Sequence, residues 1–171
     1  MTPADQPAEK PTAATLAPRL EAALAATRMA ANETLRWFGS PTLAVYRKAD
    51  QSPVTQADQA AEAILRRELL AAFPEDAFLG EESGATEGSS GFEWIVDPID
   101  GTKSFIRGVP LYATLVGCRH SGRGVLGVIA IPALDELAYA TQGGGAWHLR
   151  DGEAVAPARV SRRAALDESL V

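Results

Sequence analysis

The chain has one cysteine, Cys118. No internal disulfide framework can form, which suits a reducing compartment. Only two histidines occur, His120 and His148. The first falls at an expected hairpin turn and the second in a late strand beside Trp147, so both read as surface residues and covalent histidine catalysis has no support. No apolar run is long enough to span a bilayer and no signal-peptide pattern is present, so the expectation is a cytoplasmic protein with no membrane partner. Basic residues are in the minority, 16 Lys and Arg against 22 Asp and Glu, for a net charge of -6. That balance argues against nucleic acid as a partner. An acidic chain that handles phosphate would need cations to bring the anion in. Internal repeats are also lacking.

What is present fits one domain of 171 residues, with 46% hydrophobic and 22% charged residues. Residues 1–14 carry three prolines and no periodicity, and read as a disordered tail. Over 15–38, Leu16, Leu20, Leu24, Thr27, Ala31, Leu35 and Phe38 recur at helical steps. Gly39-Ser40-Pro41 ends that helix. A strand over 43–46 and an exposed loop over 47–51 follow. A second helix opens at 52–58 and runs to about Phe73, burying Ala61, Ile64, Leu65, Leu69 and Ala72. Residues 77–80 form a short strand, and the glycine-rich 84–91 a mobile loop. From Glu93 onward the pattern is strand-like: 111–119, 125–131, 136–141, 146–149 and 154–160, joined by short links. Short links imply antiparallel pairing. The fold class expected is α+β, with two N-terminal helices packed on an antiparallel β-sheet.

One stretch sets two carboxylates three positions apart after a short apolar run, Glu93 to Thr102, which reads E-W-I-V-D-P-I-D-G-T. Pro98 lacks an N–H, so the strand should stop at Asp97-Pro98. Asp97 and Asp100 then stand in a tight turn whose Ile99 carbonyl can point the same way. Hard cations such as Mg²⁺ want oxygen ligands of this kind, and the Gly101 and Thr102 amides can form an anion-binding concavity. An ordinary Asp-Pro, Asp-Gly turn is the structural alternative. Glu81 and Glu82 are either a solvated charge pair or a source of one more ligand. Thr55 and Asp58 form a capping-box pattern; Asp58 is a cap, a carboxylate aimed at a site, or both. Glu81, Asp97 and Asp100 would repel one another unless cations sit between them. Two metals about 4 Å apart could hold a phosphate and activate a water, with Thr102, bonded to Asp58, taking its proton. Cys118 lies within an apolar strand and reads as packing. Gly143 to Gly145 has neither a lysine nor a following helix, so it is not a nucleotide-type phosphate loop. The Asp-x-x-Asp-Gly-Thr spacing and the strand order also differ from the Asp-x-Asp-Gly-Thr of haloacid-dehalogenase-like phosphatases.

Three segments in order, Pro53-Val54-Thr55-Gln56-Ala57-Asp58, Gly80-Glu81-Glu82-Ser83 and Trp94 to Thr102, resemble the inositol monophosphatase superfamily of Mg²⁺-dependent phosphatases from about residue 15 to the last. The resemblance implies the N-terminal half of an αβαβα sandwich. It implies metal ligation by Glu81, Asp97, the Ile99 carbonyl and Asp100, with Mg²⁺ as cofactor and Mn²⁺ as a substitute. Asp58 and Thr102 would activate the water. Gly101 and Thr102, with Glu81, would face the substrate phosphate, and Glu82 is a lesser contributor. The stretches 103–111 and 126–134 resemble the histidinol-phosphate phosphatases of the superfamily, so the implied reaction is Mg²⁺-dependent hydrolysis of histidinol phosphate, a small phosphorylated metabolite of histidine biosynthesis. Inositol phosphate is the alternative substrate. The family also has a C-terminal α/β domain whose Trp-Asp-x-Ala-Ala-Gly motif completes the second metal site. No such motif occurs here, which opens a further alternative, a metal- or phosphate-binding remnant with impaired turnover. An apolar sheet face that such a domain would cover leads to the expectation of a homodimer.

Overall fold

The computed structural model describes residues 10–48, 51–150, 155–165 and 167. Helix α1 spans Ala13–Trp37, capped by Thr12, whose hydroxyl accepts from the Thr15 amide. It therefore starts two residues before the expected boundary, inside the segment assigned to a tail; residues 1–9 of that tail lie outside the described residues. Strands β1 (Val45–Arg47) and β2 (Pro53–Thr55) pair as a small separate hairpin. Helix α2 covers Gln56–Ala72. Then follow β3 (Ala77–Gly80), β4 (Gly84–Thr86), β5 (Phe92–Asp100), a short helix α3 (Thr102–Ile106), β6 (Ala113–His120), β7 (Arg123–Ile131), β8 (Glu136–Thr141), β9 (Gly145–Arg150) and β10 (Ala156–Pro157).

The main sheet has the order β10-β9-β8-β7-β6-β5-β3-β4. The expected α+β arrangement of two helices on a sheet is present, with one correction: the sheet is mixed. β3 and β5 run parallel, in the register Gly80 to Val96. The link from β3 to β5 is not a hairpin, because β4 occupies the outer edge first. The segment 84–91, expected as a mobile loop, thus contains β4, paired with β3.

One face of the sheet carries the core. Phe78, Trp94, Val96, Val116, Cys118, Val128 and Leu137 lie buried beneath the two helices. Small residues on α1, Ala23, Ala26, Ala30 and Ala31, let it approach the Ala61, Leu65 and Leu69 face of α2; close approach multiplies dispersion contacts. Arg19 locks α1 to the start of β3, donating to both Asp76 oxygens at 3.0 and 2.8 Å, with its guanidinium 3.8 Å above the Phe92 ring. On the other face the register aligns Leu79 with Ile95, and Leu115 with Ile129 and Ala138. These are partly exposed, Ile129 at 50% and Ile95 at 37%.

A second small core underlies the acid-rich turn. Ile99, Phe105, Tyr112 and Ala57 are buried there, with Phe38 against both rings. The Tyr112 and Thr34 hydroxyls lie 3.0 Å apart, tying this core to α1.

Candidate active site

β5 does not stop at Asp97. It continues to Asp100 with a shift of register: three steps on β5, from Asp97 to Asp100, oppose two on β6, from Leu115 to Ala113. The extra residue makes a bulge, one of the few places within a sheet that tolerate proline. The Pro98 carbonyl still accepts a bond from Thr114 Oγ1 at 2.9 Å. The bulge re-aims the chain, while the buried Ile99 side chain pins it. Gly101 then turns into α3 with φ of 90°. A Cβ there would meet the Leu111 carbonyl oxygen at 3.3 Å, so both conformation and space favour glycine.

The parallel register places Glu81, the residue after β3, beside Asp97. Glu81, Asp97, Ile99, Asp100, Gly101 and Thr102 line one cleft of about 280 Å³, with Ser52, Pro53 and Lys103 completing its wall. The residues expected as metal ligands and phosphate contacts therefore share one cavity. Asp97 Oδ1 accepts from the Ile99 amide at 3.1 Å. Burial pushes its carboxyl up to about 7, and the neighbouring Glu81 and Asp100 push the same way. A cation would relieve that crowding.

Two parts of the expectation are corrected. In the loop over 47–51, expected to be exposed, Arg47 and Gln51 are exposed and residues 49 and 50 lie outside the described residues, but Lys48 is half-buried and donates to Glu81 Oε1 at 2.6 Å and to Glu82 Oε1 at 2.9 Å. Burial lowers the Lys48 pKa, but the bonds to the two glutamates outweigh it and the net shift is upward. Glu81 thus spends its charge on an ammonium group. Among the described residues no three His, Cys, Asp or Glu side chains already converge as a metal cage. The donor set nevertheless fits a hard cation: three carboxylates and one carbonyl, all oxygen.

The second correction concerns the proposed proton relay. Asp58 and Thr55 form the full capping box, Thr55 N donating to Asp58 Oδ2 at 2.8 Å and the Asp58 amide donating to Thr55 Oγ1 at 3.4 Å, while Thr55 Oγ1 also donates to Asp58 Oδ2 at 2.5 Å. The Asp58 carboxyl is raised by burial, against the lowering effect of these bonds. Thr102 Oγ1 donates instead to the Ile99 carbonyl at 3.1 Å. Among the described residues no hydrogen bond joins Asp58 to Thr102.

The histidines stay outside the cleft: His120 ends β6 against the Phe92 ring, and His148 Nε2 lies 3.7 Å from Glu136. Cys118 is buried in the core, as expected. The sequence reading missed two residues that hold the Glu81–Ser83 turn beside the cleft, Lys48 and Glu62. Glu62 falls four residues after Asp58 on α2, the spacing that puts two side chains on one helix face. That spacing was the available signal.

The chain matches the family described as inositol monophosphatase family over residues 15–171. It is 45% identical over 132 residues to a histidinol-phosphatase of Chlorobaculum parvum, covering 77% of this chain and 51% of that protein. It is 42% identical over 138 residues to an inositol-1-monophosphatase of Rhizobium meliloti, covering 80% of this chain and 50% of the relative. The structure of the extragenic suppressor protein suhB from Bartonella henselae superimposes with a TM-score of 0.77 at 36% identity, over 85% of this chain and 55% of that one. The chain spans about half the length of the curated relatives it matches.

Proposed function

Because the chain belongs to the inositol monophosphatase family, we propose that it carries the metal- and phosphate-binding half of a cytoplasmic phosphomonoesterase that acts with Mg²⁺ on histidinol phosphate. One observation carries this reading: Glu81, Asp97, Ile99, Asp100, Gly101 and Thr102 face one cleft beside adjacent parallel strands. Glu81, Asp97, Asp100 and the Ile99 carbonyl would hold the cation. When bound, Mg²⁺ supplies charge neutralisation for the phosphate and a more acidic water.

The chain's own groups do the rest. Gly101 leaves the α3 start open, and the first amides of a helix lack intrahelical acceptors and suit an anion. Thr102, once its hydroxyl leaves Ile99, and Asp58, whose raised pKa makes it a better base, are the groups proposed to orient the water and take its proton. Such proton transfer contributes roughly 10²–10⁴-fold. The relatives are about twice as long, and in our reading turnover at full rate needs the remaining portion, which supplies the ligand missing from the second metal site.

Phosphate release from histidinol phosphate and from inositol 1-phosphate, each with Mg²⁺, tests the substrate. A higher kcat/KM for histidinol phosphate is expected. The 42% identity to an inositol-1-monophosphatase keeps inositol phosphate as the competing substrate, and preference for it would replace the first reading. Thr102→Ala should lower kcat with little change in KM. A rise in KM alone would make Thr102 a binding residue.

A further inference from the structure

Glu62 is a charged side chain with 2% of its surface exposed, and none of the chemistry above uses it. Its carboxylate lies under the turn that follows β3. Oε2 accepts the Glu82 amide at 2.7 Å and Oε1 the Ser83 amide at 2.6 Å. Gly80 makes room for it, since a Cβ at that position would lie 2.4 Å from Glu62 Oε1. One helical turn further along α2, Arg66 donates to the Ser83 and Thr86 hydroxyls. The face of α2 that carries Asp58 therefore also grips the segment 82–86.

We propose that Glu62 is a positioning residue that sets the cation affinity of the cleft by fixing the turn that presents Glu81. The geometry gives the reason. Two successive amides can meet one carboxylate only in a particular turn conformation, and Glu81 is the residue between the gripped pair and the last residue of β3. Charge-assisted bonds to backbone N–H groups are short and strong, so the turn is held by its backbone. Glu81 then starts from a fixed backbone whether its side chain meets Lys48 or a cation. Gln at position 62 keeps the shape but places an NH₂ group against one of the amides, so one grip is lost and replaced by a donor–donor clash. This assignment rests on the reading of Glu81 as a ligand.

Calorimetric titration of the chain with Mn²⁺ tests it, in wild type, Glu62→Gln, Glu81→Gln and the double variant. Groups that orient a ligand from behind typically cost about 10–100-fold in metal affinity when altered. Glu62→Gln should weaken binding about tenfold, and the effect should fall below about twofold in the Glu81→Gln background, as for two residues acting on one term. Gly80→Ala, which displaces the carboxylate by a different route, should reproduce the loss and serves if Glu62→Gln does not fold. If Glu81→Gln weakens binding but Glu62→Gln and Gly80→Ala leave it unchanged, even with a lowered melting temperature, Glu62 only supports the fold and the assignment falls. It falls equally if Glu62→Gln weakens binding as much without Glu81 as with it. If Glu81→Gln itself has no effect, the ligand reading falls first and takes this one with it.

Discussion

The Lys48 ammonium donates to Glu81 across 2.6 Å. A second contact, to Glu82 at 2.9 Å, makes it the local counter-charge of both glutamates. Any cation that takes Glu81 as a ligand must compete with Lys48 for it. Lys48→Met should therefore strengthen Mn²⁺ binding. Both partners are partly exposed, so the gain sits near the low end of the Coulomb range, about 1 kcal/mol or fivefold. Calorimetry reads this directly, and unchanged or weaker binding would mean that Lys48 does not compete.

The reciprocal bonds of Thr55 and Asp58 predict a stability effect separable from catalysis. Each alanine variant should lower unfolding free energy by about 1 kcal/mol. Their losses should not add, because either substitution breaks the same box. Urea denaturation of the two single variants and the double checks this; strictly additive losses would show that the two side chains act independently.

Cys118 is buried, and burial pushes its thiol up to about 12. Only the thiolate reacts with disulfide reagents. At pH 8 the thiol in the folded chain is then almost entirely protonated. Colour development with an aromatic disulfide should be slow in buffer and complete within minutes in urea. The same raised pKa adds stability that is present below the ordinary thiol range and is lost as pH rises toward 12. Rapid labelling of the folded chain would contradict the packing role.

The sheet face opposite the helices carries Leu79 paired with Ile95 and, one row over, Leu115 paired with Ile129, with Gly117 and Gly127 continuing the first row. Contiguous apolar surface of this kind is uncommon on a soluble monomer. The expected consequence is self-association, most simply as a two-fold pair. Ile129→Asp should shift the chain toward monomer in sedimentation velocity without unfolding it. A wild-type chain that stays monomeric at high concentration would refute the expectation.

Much of this arrangement was legible in the sequence because it rests on local signals. The helical periodicity of α1, the capping pattern at Thr55 and Asp58, and the turn chemistry around Gly101 each act over a few residues. Pro98 misled for a reason of the same kind: its missing N–H argues against a regular strand, but a bulge removes the need for that N–H, and only the pairing with β6 reveals the bulge. The parallel pairing of β3 with β5 was not legible, since it depends on β4 taking the sheet edge. Lys48 and Glu62 escaped because their partners lie 33 and about 20 positions away, and nothing near a lone lysine in a polar loop marks it as half-buried. The Thr102–Asp58 bond was expected from two motifs that do share a neighbourhood; each residue satisfies its own local bond first, Thr102 with Ile99 and Asp58 with Thr55.

The central claim is that Glu81, Asp97 and Asp100 bind a divalent cation through oxygen. The most direct measurement is calorimetric titration of the chain and of Asp97→Asn with Mg²⁺ and Mn²⁺. Asn keeps the size of Asp97 and removes its charge. The account predicts measurable Mn²⁺ binding by the wild type and a loss of at least tenfold in Asp97→Asn, in line with losing a charged ligand. Equal binding by both proteins would contradict it.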